Sequence, residues 1–292
     1  MSIPRMATVS DRPTTAEPSR PWPRPTGRTT AAHGKCVACI FKPHCLPADL
    51  DDNSLSTFEH QIWRYSRPVK AGQTLVHQGD AIDSLYALRV GSLKAYIDEA
   101  DGTERVMAFR FPGAIIGLAE PYQKQWARSF AALEDSWLCR IPLNAIHDSL
   151  QRQLIRLMSD CLRREYESHL TLALTSGSRR VVSFLLELSA IFKALGQSPV
   201  HLRLPMTYLD AASYLGMRHE SLSRTLSQLQ KQGLIRKSGK EIHIDDLPGL
   251  NRLKNDDALV PAADRFITKP KPAGGSSGAD PGRANTRRRR IV

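Results

Sequence analysis

The sequence predicts an α+β chain in three parts: an N-terminal antiparallel β-barrel or jelly roll, one long helix, and a C-terminal winged helix-turn-helix. Three observations carry this expectation. Turn signals at Gly79-Asp80, Gly91, Asp101-Gly102 and Gly113 recur at steps of about eleven residues and separate short aliphatic and aromatic runs such as SLYALRV and LKAYI. From 143 to 175 a helical pattern continues without a break, longer than an ordinary globular helix. Over 207–231 one helical pattern through Leu209, Ala212 and Leu215 is joined to another through Leu222, Leu226 and Leu229 by a short break at 216–218.

A length of 292 residues fits about two domains, and 41% hydrophobic content supports ordinary cores. The formal net charge of +12 points toward a polyanion, because neutralising phosphates releases counterions whatever the base sequence. Part of that charge sits at the ends. Residues 1–34 hold Pro4, Pro13, Pro18, Pro21, Pro23 and Pro25 and no apolar run to nucleate a core, so a disordered extension is expected. Residues 251–292, with GGSSG at 274–278 and four arginines at 287–290, are expected to form a flexible basic tail. No secretory signal and no apolar run of the roughly 18 residues that span a bilayer are present, which predicts a cytoplasmic protein with no membrane partner.

The cysteines come first along the foldable part, 35–142. Disulfides are not expected in a reducing compartment, so spacing is the information. Cys36, Cys39 and Cys45 form a C-x2-C-x5-C cluster in CVACIFKPHC. Two cysteines three apart can wrap one metal centre from a tight turn, and the wider step lets the chain pass around it. Three ligands need a fourth, and Cys139 is the candidate, at the end of an expected strand in SWLCRIP. Four thiolates suit either an iron-sulfur cluster or a structural zinc. Cys161 falls seven residues after Leu154 on an apolar stripe and reads as a buried thiol. His77 and His147 stand alone, and no nucleophile elbow, phosphate-cradling loop or metalloprotease motif occurs, so no enzyme is expected.

The long helix, set at 143–176, carries Ile155, Met158, Leu162, Glu165 and His169 at alternating steps of three and four, a heptad seam. A seam on a long helix calls for a parallel partner, most simply a second copy, and a homodimer suits a motif that reads two half-sites. Glu165 either faces its symmetry mate, which makes the dimer marginal and switchable, or bends outward to water. A DNA-binding domain is expected over 177–250, opened by an amphipathic helix through Val182, Leu185, Leu186 and Ile191. Its second motif helix presents His219, Glu220, Ser223, Arg224 and Ser227 outward. Arg donates two bonds to guanine, Glu accepts from the cytosine amine, and Ser bonds either, so this face can read double-stranded DNA in the major groove. Gly233 ends the helix, and 234–244 reads as a hairpin wing around Ser238-Gly239.

These residues resemble the Crp/Fnr family of bacterial regulators, specifically its oxygen-sensing fumarate and nitrate reduction regulator branch. The similarity runs from 36 to 250, about three quarters of the chain. Matching in order are the cysteine triplet, VKAGQTLVHQGDAIDSLYALRVGSLKAY, the Cys139-x-Ile-Pro step, the acid at Glu165, and E-x-x-S-R at Glu220, Ser223 and Arg224. The resemblance implies a cyclic-nucleotide-binding-like jelly roll and an oxygen-labile 4Fe-4S cluster on Cys36, Cys39, Cys45 and Cys139. It further implies RNA polymerase as a partner, control of anaerobic or microaerobic genes, and an operator of TTGAT and ATCAA half-sites separated by four base pairs. Nucleotide-binding members place a Glu beside the ribose and an Arg at the phosphate. Here Arg128-Ser129 resembles the phosphate end, but the position after Gly117 is Leu118, which cannot accept a ribose hydroxyl. The alternative that stays open is a small-molecule or cyclic-nucleotide regulator with a structural zinc. Both long tails depart from the family pattern.

Overall fold

The computed structural model describes residues 35–63, 67–119, 123–174 and 176–255. The expected extension at 1–34 and the tail beyond 255 lie outside them. The chain divides into two compact units, Met1–Arg163 and Arg164–Val292, with the boundary inside the long helix.

In the first unit, tight 3-10 turns at Cys36–Ala38 and Lys42–His44 precede helix α1 (Asp52–Trp63). Asp51 begins this helix, its carboxylate accepting from the amides of Asn53 and Ser54 at 3.0 Å, and Leu55, Phe58 and Ile62 form its buried stripe. Eight strands follow: β1 (Arg67–Val69), β2 (Thr74–Val76), β3 (Ser84–Val90), β4 (Leu93–Asp98), β5 (Glu104–Arg110), β6 (Ile115–Ile116), β7 (Ser129–Ala132) and β8 (Ser136–Pro142). They pair antiparallel as two four-stranded sheets, β1-β8-β3-β6 and β2-β7-β4-β5. Between the sheets lies an apolar core with Leu88, Leu93, Trp126, Phe130 and Leu138. A second core covers the outer face of the β1-β8-β3-β6 sheet, where Leu85, Ala87, Cys139 and Ile141 meet Leu46, Phe58, Ile62, Leu150 and Leu154. That is why every residue of β3 from Ser84 to Arg89 is buried, instead of alternating in and out. Gly91 turns the chain from β3 into β4 at φ 90°, and a Cβ there would sit 2.2 Å from the Ser136 hydroxyl, so only glycine fits.

The expected helix from 143 begins later. Pro142 brings no amide proton, Leu143–Ala145 forms a 3-10 turn closed by the Ile146 amide, and α2 runs Asp148–Leu174. Asp148 in its first turn matches the positive end of the helix dipole.

The second unit holds α3 (Gly177–Ala194), β9 (His201–Arg203), α4 (Tyr208–Tyr214), α5 (His219–Lys231), β10 (Ile235–Ser238), β11 (Glu241–Ile244) and α6 (Leu247–Asn255). The buried stripe of α3 is Val181, Val182, Phe184, Leu185, Leu188 and Phe192, while Leu186 and Ile191 are only half-buried. The wing has a strand more than expected, in the order β10-β11-β9, and α6 continues past Leu250 to Asn255, into the segment expected to be tail.

Candidate functional site

Two groups of side chains carry chemistry. The first is built by the cysteine turns. The Cys39 amide donates to the Cys36 carbonyl at 3.0 Å, Lys42 to Cys39 at 3.0 Å, and Cys45 to Lys42 at 3.1 Å, so the loop is a chain of tight turns. The two 3-10 turns are separate, since Cys39 and Cys45 both leave the helical region at ψ 121° and 170°, and together they bring Cys36, Cys39 and Cys45 to one pocket although their sequence gaps differ. The loop is tied down at several points. The Val37 amide donates to the Glu59 carboxylate of α1 at 3.0 Å, and the Phe41 ring packs on Gly113, where a Cβ would lie 3.0 Å from the ring. Gln153 of α2, itself 3% exposed, donates to the Cys45 carbonyl at 3.2 Å.

These contacts seat the loop over the outer face of β3 and β8. Cys139 is in the middle of β8 rather than at its end, its Cα paired with Ala87, and it faces the loop. Cys36, Cys39, Cys45 and Cys139 line one pocket with Phe41, Phe58, Ile62, Ile141 and Arg89. All four are free thiols. Burial, reinforced by the neighbouring Cys139, pushes the Cys36 thiol up to about 12, and burial reinforced by Cys36 does the same to Cys45. Bare thiolates are therefore disfavoured, and the protons leave when a cation takes their place. Among the described residues no group of three or more His, Cys, Asp or Glu side chains is arranged to hold a single metal ion. This donor set, soft and gathered around one pocket, has the chemistry to hold an iron-sulfur core, which presents separate irons to separate thiolates, or a zinc ion. Cys161 packs against the second core but is not among the pocket residues.

The second group lies on α5. A capping box between Thr207 and Asp210 starts α4, and Arg180 of α3 donates to the Leu215 carbonyl at 2.6 Å, closing the end of α4 where Gly216 turns at φ 59°. Leu222, Leu226 and Leu229 then bury one side of α5, leaving His219, Glu220 and Arg224 exposed and Ser223 and Ser227 half-buried on the other. Arg224 donates to the Ser221 hydroxyl at 3.2 Å, and the Ser227 hydroxyl donates back to the Ser223 carbonyl at 2.9 Å. Leu209, expected in the core stripe of α4, is instead 69% exposed in a shallow recess beside His219 and Glu220; Ala211, Ala212 and Leu215 bury that helix. The wing tip is fixed to α4 by the Tyr208 hydroxyl donating to the Gly239 carbonyl at 2.7 Å.

The seam residues of α2 are also placed. Ile155 and Leu162 are 64% and 65% exposed, with Tyr166 beside them at 66%. His169 is exposed and Glu165 half-buried, whereas Met158 packs partly against the second core. No helix of the described residues is long and apolar enough to cross a membrane.

Glu59, Arg89, Gln153, Arg180 and Tyr208 were missed by sequence reasoning. Each is a single polar residue within a helix or strand, and no spacing marks it; only the pairing of distant segments gives it a partner.

Comparison with known proteins agrees with this anatomy. The model of the cyclic nucleotide-binding domain matches residues 66–153, and that of the Crp-like helix-turn-helix domain matches 179–253. The anaerobic regulatory protein of Haemophilus influenzae is 34% identical over 224 residues, 75% of this chain and 87% of that one. The transcriptional activator protein Anr of Pseudomonas aeruginosa is 35% identical over 217 residues, 72% and 88% of the two chains. Among solved structures, FixK2 from Bradyrhizobium japonicum shares the fold with a TM-score of 0.59 at 24% identity, covering 64% of this chain and 96% of that one. The chain thus belongs to the Crp/Fnr family, in its branch of anaerobic regulators, and is a DNA-binding transcription regulator, not an enzyme.

Proposed function

We propose that this regulator responds to oxygen through a 4Fe-4S cluster held by Cys36, Cys39, Cys45 and Cys139, and that the loaded protein dimerises along α2 and binds TTGAT/ATCAA-type operators. The observation that carries the reading is the convergence on one pocket of four free thiols, three half-buried ones from the loop turns and the buried Cys139 of β8. When bound, the cluster supplies an oxygen-reactive centre. The chain's own residues do the rest. The turns present three sulfurs, β8 presents the fourth, Phe41, Phe58 and Ile62 exclude water, and Gln153 links the loop to α2. Dimerisation then sets two copies of α5 for two half-sites, with Glu220, Ser223 and Arg224 reading bases, flanked by His219 and Ser227, and RNA polymerase as the partner that reads out occupancy. Leu118, 7% exposed in the second core, offers no acceptor for a nucleotide ribose.

Anaerobic purification tests this. About four iron and four sulfide per chain, with colour that bleaches in air, are expected. Cys36→Ser, Cys39→Ser, Cys45→Ser and Cys139→Ser should each abolish the cluster and anaerobic operator binding, whereas Cys161→Ser keeps both. A colourless zinc protein would overturn the reading in favour of a small-molecule regulator with a structural metal, and full iron content in Cys139→Ser would show that another group supplies the fourth ligand.

A further inference from the structure

The thiol pocket contains a cation that the cysteine pattern does not announce. Arg89 is 5% exposed and lines the pocket with Cys36, Cys39, Cys45 and Cys139. Alternation along β3 from Leu85 and Ala87, both in the second core, points it to the thiol side of the sheet. Its position is also a bulge. Leu88 pairs with Leu138 and Val90 with Trp137, so no β8 residue stands opposite Arg89. Bulges of this kind re-aim a side chain, and here the extra residue is the charged one.

We propose that Arg89 is the positioning residue that balances the charge of the four-thiolate group, an inference that rests on the cluster reading above. Four thiolates bring more negative charge than an iron-sulfide core offsets, and burying an uncompensated anion among apolar side chains is strongly unfavourable. A guanidinium keeps its charge in any surroundings, and a lysine at the same place keeps its own while an anionic group stands beside it. Glu59, which anchors the loop beside Cys36, adds a further negative charge, while Arg89 acts on Cys36 in the opposite sense. Lys42 lines the same pocket but is half-buried, and the adjoining solvent screens its amine.

The test uses the full chain purified without oxygen, with Arg89→Gln and Arg89→Lys as the informative pair, Arg89→Met as the uncharged apolar variant and Lys42→Met as the control. Three quantities are read: iron and sulfide retained per chain, the reduction midpoint of the retained cluster, and the circular dichroism of the cluster-free protein. Arg89→Gln and Arg89→Met should retain severalfold less iron and sulfide, with the midpoint of the remainder moved to more negative potential. Arg89→Lys should recover most of the retention, and Lys42→Met should stay close to the unmodified protein. Should Arg89→Met fail to fold, the Gln and Lys pair still decides. A purely structural role for the guanidinium predicts Lys to be as poor as Gln with the midpoint unmoved, and that result, or unmodified retention and midpoint in Arg89→Gln, overturns the assignment. Unmodified protein that takes up no iron overturns the cluster reading itself, and this inference with it.

Discussion

Arg224 stands exposed on α5 and donates to the Ser221 hydroxyl at 3.2 Å, a contact easily exchanged for a base. A bidentate pair with guanine implies that Arg224→Ala costs about 1 to 3 kcal/mol per half-site and relaxes preference at that base pair. Binding titrations on operator and random duplexes check this; equal losses on both would remove Arg224 from the reading set. Ser227 is a weaker candidate than its position on the helix face suggests, because its hydroxyl proton already goes to the Ser223 carbonyl. Its lone pairs remain for an amine donor. At this scale the sequence was most informative where spacing carries meaning, as with the cysteines and with Glu220, Ser223 and Arg224. It was silent on Arg89 and Gln153, whose roles arise from a bulge and a contact spanning 108 residues.

Among the elements, α2 connects the thiol loop to the expected dimer seam. Gln153 donates to the Cys45 carbonyl and accepts from Arg156 at 3.1 Å, while Arg156 reaches Asp49 at 3.6 Å, so two adjoining turns of α2 grip the same loop. Gln153→Leu preserves volume but strands a buried carbonyl, which costs about 1 to 3 kcal/mol. The expected outcome is a folded protein with lower urea resistance and full iron content whose anaerobic dimer fraction falls. An unchanged dimer fraction would mean that the coupling runs elsewhere. Helix α1 has a legible signal in Leu55, Phe58 and Ile62 after Asp51, yet no periodicity says that it roofs a pocket of thiols. The third wing strand, β9, is only three residues long, too short for an alternation pattern to distinguish it from a loop.

For the whole molecule, the exposed apolar stripe of Ile155, Leu162 and Tyr166 on a 27-residue helix is the surface on which a second copy would be expected. Glu165 interrupts it. If, as we propose, two copies pair in parallel with each Glu165 facing its mate rather than turned outward to water, the apo dimer is opposed by like charge in a partly dry interface. A ligand shifts such an equilibrium only by its differential affinity for the two states, which requires the unliganded balance to be close. Glu165→Ala should therefore dimerise and bind operator in air without a cluster. Sedimentation of cluster-free protein decides: a variant still monomeric where anaerobic holoprotein is dimeric shows that the acid is not the brake. The broad architecture was legible because turn spacing, helix length and the helix-turn-helix each leave a long record in the sequence. The double burial of β3 was not, since a run such as SLYALRV does not say what covers either face.

The cysteine loop is two separate turns rather than one helix, since Cys39 and Cys45 both leave the helical region at ψ 121° and 170°. Each turn closes on its own hydrogen bond, Cys39 to Cys36 and Cys45 to Lys42, and each delivers a cysteine at its exit. The loop is thus a pair of short clasps held from outside, by Glu59, by the glycine under Phe41 and by Gln153, and it owes its shape to what it rests on more than to its own backbone.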